Sequence, residues 1–237
     1  MTCALCGQEK QLQESHIIPE FVFKQLYDSK HRFHVVSTLP KRPRPLEQKG
    51  IRERLLCYEC EQKFSINERY ARGVLLGGTE ITVRHRGRCL ELSNLDYKKL
   101  KLFQMSILWR ASVAKHKLFS RVKLGSHEQP LMKMLYEENP GTQQQYCCLV
   151  IGLKSETGIQ ADFIDQPTRF RIDGHTVYRF IFAGFIWVYF VSSHSIPTMF
   201  RQIALNEAGE MKVWIGQFED LGYLQRFAMN LHKLGRM

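Results

Sequence analysis

The sequence has no apolar run long enough to span a bilayer. Its most hydrophobic stretch, Phe180–Val191 (FIFAGFIWVYFV), is twelve residues, against the about 20 that a membrane helix needs. Met1 leads into TCALCG with no charged n-region and no apolar h-region, so no secretory leader is expected and the protein is read as cytoplasmic, with no membrane partner. There is no internal repeat, no phosphate-cradling glycine loop and no nucleophile elbow, so no motif of that kind announces a reaction. Acidic residues are few beside basic ones: 23 Asp and Glu against 34 Lys and Arg, for a net charge of +11 and a pI near 9.4. That balance favours a polyanionic partner, with DNA or RNA the first candidate. What is present is a globular composition, 44% hydrophobic and 11% aromatic, in 237 residues, enough for one medium domain or two small ones.

The cysteines number seven, and four of them form two Cys-x-x-Cys pairs, Cys3 with Cys6 and Cys57 with Cys60. In a reducing compartment that spacing points to metal rather than to disulfides. Two intervening residues let both thiolates of a pair converge on one ion from a tight turn, and four thiolates complete a tetrahedral structural Zn²⁺ site. Gly7 follows the first pair and suits the positive φ of a knuckle. EQKFSINERYA follows the second and reads as the start of a helix, whose positive end stabilises thiolate charge. Knuckle, hairpin, then a helix carrying the last two ligands is a treble-clef order. A redox role for either pair is the competing reading. Cys89, Cys147 and Cys148 lie in apolar or strand-like surroundings and read as small core residues.

Between the pairs stands Glu14-Ser15-His16-Ile17-Ile18-Pro19. A Cys-x-x-Cys, an acidic residue with His, two apolar residues and Pro, then a second Cys-x-x-Cys resembles the HNH endonucleases with zinc knuckles, within the ββα-metal or His-Me finger group. The matching positions are Cys3, Cys6, His16, Pro19, Cys57 and Cys60, so the resemblance covers about the first 70 residues. It implies a nuclease that hydrolyses phosphodiester bonds of DNA or RNA. His16 falls on the general base, and one catalytic Mg²⁺ or Mn²⁺ holds the scissile phosphate. It also suggests a setting in bacterial or phage genome defence. The chain departs from the pattern at three places. The position directly before the histidine, usually acidic, is Ser15; Glu14 lies one further back and on a strand points to the other face. The usual asparagine before the third cysteine is Arg52. The residue after the fourth cysteine is Glu61, which suits a hard ion. The expected site is therefore His16 with Glu61. The alternative is a catalytically inactive, zinc-stabilised nucleic-acid-binding protein in which His16 is a structural histidine.

FVFKQLYDSKHRF reads as a short helix. After it, Lys41, Arg42 and Arg44 alternate with prolines that favour an extended, exposed conformation, and Lys49, Arg52 and Arg54 continue the charge to the second pair. These six are the candidate phosphate contacts; a solvated loop is the competing reading.

The spacing divides the chain into a zinc module over 1–75 and an α+β region over 76–237. In the latter, ITVRH and RCLELS form a hairpin carrying Arg84, Arg86 and Arg88. A helix over 95–119 has two apolar stripes and so lies between layers. EQPLMKMLYEEN is a short helix. From about 146, YCCLVIGLK, ADFID, TRFRID, HTVYRFIFA, FIWVYFVSS, FRQIAL and MKVWIG predict an antiparallel sheet, with a final helix GYLQRFAMNLHKL packed on it. The apolar run 180–191 divides into two strands at Ala183-Gly184, and Asp173-Gly174 and Ala208-Gly209 are turns. This region is assigned target choice, self-association, a protein partner or a trigger.

Overall fold

A computed structural model describes residues 1–34, 46–48, 50–155, 158–159, 163–217 and 222. The final helix expected from residue 222 onward lies outside them, apart from Gly222. The fold is mixed α+β. Its amino-terminal part is a two-stranded antiparallel sheet of β1 (Leu12–His16) and β4 (Arg52–Cys57), running directly into α2 (Tyr58–Leu76). Between β1 and β4 lie α1 (Glu20–Phe23) and a small ladder of β2 (Arg32–His34) and β3 (Leu46–Gln48). The expected helix over FVFKQLYDSKHRF is thus confined to its first turn. After a turn closed by the Leu26 N–H on the Phe23 carbonyl at 2.8 Å, Asp28 keeps the rest of the segment out of a helix: Oδ1 accepts the N–H groups of Lys30 and Arg32, and Oδ2 takes the Arg32 guanidinium at 2.7 Å. An Asp that captures nearby backbone donors competes with the helix for them.

Helix α2 buries Cys60, Phe64, Asn67 and Ala71 along one stripe, the spacing of a single packed face. It packs on α3 (Tyr97–Val113), where every residue from Leu100 to Ser112 is buried. Phe64 meets Trp109 edge-on at 6.2 Å, and on the other side Phe103 meets Trp187 of the large sheet at 6.0 Å. The central position expected from the two apolar stripes is therefore observed. The helix is shorter than its apolar pattern because the Glu53 carboxylate, from β4, accepts the N–H groups of Lys115 and His116 and stops the helical ladder there. A 3₁₀ turn (Lys117–Phe119) and α4 (Glu128–Tyr136) follow.

The large sheet has the order β5 (Thr82–Arg86), β6 (Cys89–Ser93), β12 (Met211–Gln217), β7 (Cys148–Ser155), β11 (Phe185–Val191), β10 (His175–Phe182), β9 (Asp165–Ile172), with a short β8 (Gly158–Ile159) on β7. Its pairs are antiparallel except β12 with β7, which is parallel because the chain crosses from one half of the sheet to the other. The run 180–191 forms two strands joined at Ala183 and Gly184, both at positive φ, 55° and 77°. Alternate residues of β11 enter two cores. Trp187, Tyr189 and Val191 face α3; Ile186, Val188 and Phe190 face a second layer with Ile196 and Ala204. Burial on both faces explains the unbroken apolar run. FRQIAL, expected as a strand, instead begins in α5 (Thr198–Arg201), a turn of helix preceded by Pro197 as its N-cap in an extended conformation, φ −51° and ψ 140°. Ala208-Gly209 is the turn that leads from this layer into β12.

At that turn Gly209 has φ +74°, and a Cβ there would lie 2.2 Å from the Leu95 carbonyl oxygen. Gly209→Ala is expected to destabilise the protein by about 1–3 kcal/mol, from left-handed strain plus the clash. Urea unfolding should show a lower midpoint with an unchanged slope.

Candidate metal centre and histidine site

The first knuckle is closed by the Gly7 N–H donating to the Cys3 carbonyl at 2.9 Å and the Cys3 N–H to the Gln8 carbonyl at 2.9 Å, with Gly7 at φ +70°. The Ala4 N–H donates to the Leu55 carbonyl at 3.0 Å and fastens the knuckle to β4. Cys57 ends β4 and caps α2, and Cys60 lies in the first turn of that helix. The two pairs, more than fifty residues apart in sequence, meet: the sulfurs of Cys3, Cys6, Cys57 and Cys60 all lie within 4.8 Å of one another. Cys6 Sγ and Cys57 Sγ are 3.9 Å apart, close to the about 3.8 Å edge of a tetrahedron with Zn–S bonds of about 2.3 Å.

The donor set suits an ion on electrostatic grounds as well. Burial raises the Cys3 thiol, but N–H groups of Cys6, Cys57 and Leu5 outweigh it and bring Cys3 down to about 7; the Cys57 N–H reaches its sulfur at 3.3 Å. Burial pushes the Cys57 and Cys60 thiols up. The four sulfurs cannot all carry charge without a cation among them, and loading one releases protons. Three of the four are buried and the fourth is half-buried. The arrangement is positioned to hold a metal ion, and an all-sulfur tetrahedral set is that of structural zinc. Among the described residues no other group of three or more His, Cys, Asp or Glu converges in this way. Cys147 and Cys148 are buried in the sheet and Cys89 is half-buried, all apart from the cluster.

His16 is the last residue of β1 and is half-buried. Its neighbours fix its backbone. Ile17 and Ile18 are fully buried and the Ile17 N–H donates to the Ile51 carbonyl at 3.2 Å. Ser15, also fully buried, donates its hydroxyl to Glu61 Oε2 at 2.7 Å and accepts the Leu56 N–H at 3.3 Å. The hydroxyl therefore joins β1, β4 and the first turn of α2. Glu14 points the opposite way, as strand alternation requires, and is exposed in an ion pair with Arg54 at 3.3 Å. Arg52 is the ladder partner of His16. Lys41, Arg42, Arg44 and Lys49 lie outside the described residues.

Two residues that sequence reasoning passed over complete the surroundings. Arg110, wholly buried in α3, donates Nη1 to the His16 carbonyl oxygen at 2.6 Å, contacts Ser106 Oγ at 3.2 Å and pairs with Glu68 of α2 at 2.6 Å. Its guanidinium also lies over the Phe64 ring at 5.3 Å. Thus α3 reaches across α2 to hold the peptide of His16. The signal was an arginine inside ILWRASV, an otherwise apolar helical run, where a charge must find a partner.

No family model matches the chain, and neither the curated proteins nor the solved structures give a significant match. Among the described residues no helix is long and apolar enough to cross a membrane.

Proposed function

We infer that the protein is an HNH-like, zinc-stabilised nuclease that hydrolyses phosphodiester bonds of DNA or RNA. The observation that supports this most is the order of parts around the sulfur cluster: a knuckle, a strand ending in His16, and a helix whose first turn carries Cys60 and Glu61, joined by the Ser15 hydroxyl. His16 would take the proton of the attacking water, a task suited to imidazole near neutral pH. Glu61 has Oε2 occupied by Ser15, and Oε1, with no hydrogen bond among the described residues, would take a hydrated cation. A single carboxylate suits Mg²⁺ or Mn²⁺ only together with substrate phosphate, since such ions are commonly held by one or two carboxylates plus phosphate oxygens. When bound, the cation supplies Lewis acidity at the scissile phosphate.

The alternative, a zinc-stabilised nucleic-acid-binding protein without catalysis, is favoured by the same Ser15–Glu61 contact and by Glu14 facing away. The two separate on one experiment. With Mg²⁺ or Mn²⁺, wild-type protein is expected to cut plasmid DNA or single-stranded RNA. His16→Ala should lower that rate about 100-fold or more while leaving binding intact. Salt-dependent binding without cutting under either metal supports the binder. Absence of binding at low salt contradicts both.

A further inference from the structure

We propose that the far end of α2 forms a second nucleic-acid contact, a basic cleft that grips the phosphodiester backbone away from His16. The cleft lies between the last turns of α2, the loop that follows it and the first turn of α3. It is an open concavity of about 500 Å³ lined by Arg69, Arg72, Lys99, Tyr70, Gly77 and Gly78 among others, with no carboxylate in its lining.

Arg69 and Arg72 are exposed and make no ion pair among the described residues. Other cations such as Lys10, Lys63 and Arg86 each have a carboxylate within 4.0 Å, so the charge of these two arginines is left for an external anion. Lys99 is answered by Asp96 at 2.7 Å and lies over the Tyr70 ring at 5.5 Å, so it shapes the wall while the two arginines supply the unmatched charge. The loop leaves backbone open to a ligand. Gly77 and Gly78 have φ +85° and +108°, and a Cβ on either would meet nothing within 4 Å, so no side chain stands between the main chain and an approaching phosphate. Thr79 folds back onto Gly73, where a Cβ would come within 2.1 Å of its hydroxyl oxygen.

The geometry fits a polymer better than a small anion. The cleft is open, and its loop runs straight into β5, whose five residues are all exposed and which carries Arg84, also without an ion pair among the described residues. At 3.6 residues per turn, Arg72 returns to within about 20° of Glu61 around α2 and Arg69 to within about 80°. At 1.5 Å per residue the two arginines lie about 12–17 Å along the axis from Glu61, a span of four or five base steps at about 3.4 Å each. One strand that passes Glu61 is therefore long enough to reach the cleft.

This inference rests on the nucleic-acid reading above, and the test separates the two. Wild type and Arg69→Gln/Arg72→Gln are titrated into labelled duplex DNA and labelled single-stranded RNA over a salt series, with the melting temperature of each protein measured alongside. The double variant is expected to melt with the wild type, to bind about tenfold or more weakly, and to lose about 1.8 from the slope of log affinity against log salt on duplex, 0.9 per released phosphate. On RNA the loss is about 1.4. Equal affinity and slope in variant and wild type overturn the cleft and leave the nuclease reading standing. A wild type that binds neither polymer at low salt overturns both.

Discussion

Cys60→Ser is expected to strip the bound metal and to lower the melting temperature by about 6–12 °C, the shift for a loss of at least about 3 kcal/mol in a chain of this size. Structural zinc in small fingers contributes about 10–16 kcal/mol of apparent binding free energy, and that binding free energy is folding free energy. In this protein the cluster is the junction of three elements. Cys3 and Cys6 belong to the knuckle, Cys57 to the end of β4 and Cys60 to the first turn of α2. The apolar surroundings soften the loss, because Leu56, Phe64 and Ala71 continue into the same core as Phe103 and Trp109. The variant should therefore melt early rather than fail to fold, and a chelator should reproduce the effect on wild type. Acidification acts in the same direction, since protonated thiols release the ion. Cys89→Ser, outside the cluster, should retain both metal and stability. A Cys60→Ser protein with wild-type melting and wild-type metal content would contradict the assignment.

Arg110→Met should cost about 3–5 kcal/mol, the penalty of leaving the partner of a buried ion pair uncompensated. Glu68 is already driven upward in pKa by its burial, against the pull of Arg110, so removing the guanidinium leaves a carboxyl that resists ionisation. The His16 carbonyl oxygen and Ser106 hydroxyl lose a donor in the same step. Arg110→Met with Glu68→Leu is expected to recover much of the loss, because an apolar pair of similar volume replaces a buried ion pair at little cost. Chemical denaturation of the two single variants and the double variant measures this directly; a double variant as unstable as the sum of the singles would show that the pair is not coupled. If His16 is the base, Arg110→Met should also lower cleavage more than it lowers nucleic-acid binding, since it frees the peptide that carries the imidazole.

The features set by short-range chemistry were readable before the fold was known. Cys-x-x-Cys spacing, the glycine after the first pair and the helix start after the second together specify a cluster, because each constrains only its own turn. The double stripe of α3 and the division of 180–191 at Ala183-Gly184 are likewise local patterns. What escaped was decided by distant partners. The end of α3 depends on Glu53, sixty residues earlier. The parallel pairing of β12 with β7 depends on a crossover that no periodicity records. Ser15, a departure from the usual acidic residue before the histidine, connects β1, β4 and Glu61 through one buried hydroxyl. The cleft at Arg69 and Arg72 was hidden because Gly77-Gly78 reads in isolation as an ordinary turn.

Metal analysis of the purified protein, paired with cobalt substitution, tests the sulfur cluster most directly. One zinc per chain is expected, and the cobalt form should show the intense thiolate-to-metal absorption and visible bands of a tetrahedral all-sulfur site, altered by serine at any of Cys3, Cys6, Cys57 or Cys60. A protein that folds normally without stoichiometric metal, or a cobalt spectrum lacking thiolate ligation, would contradict it.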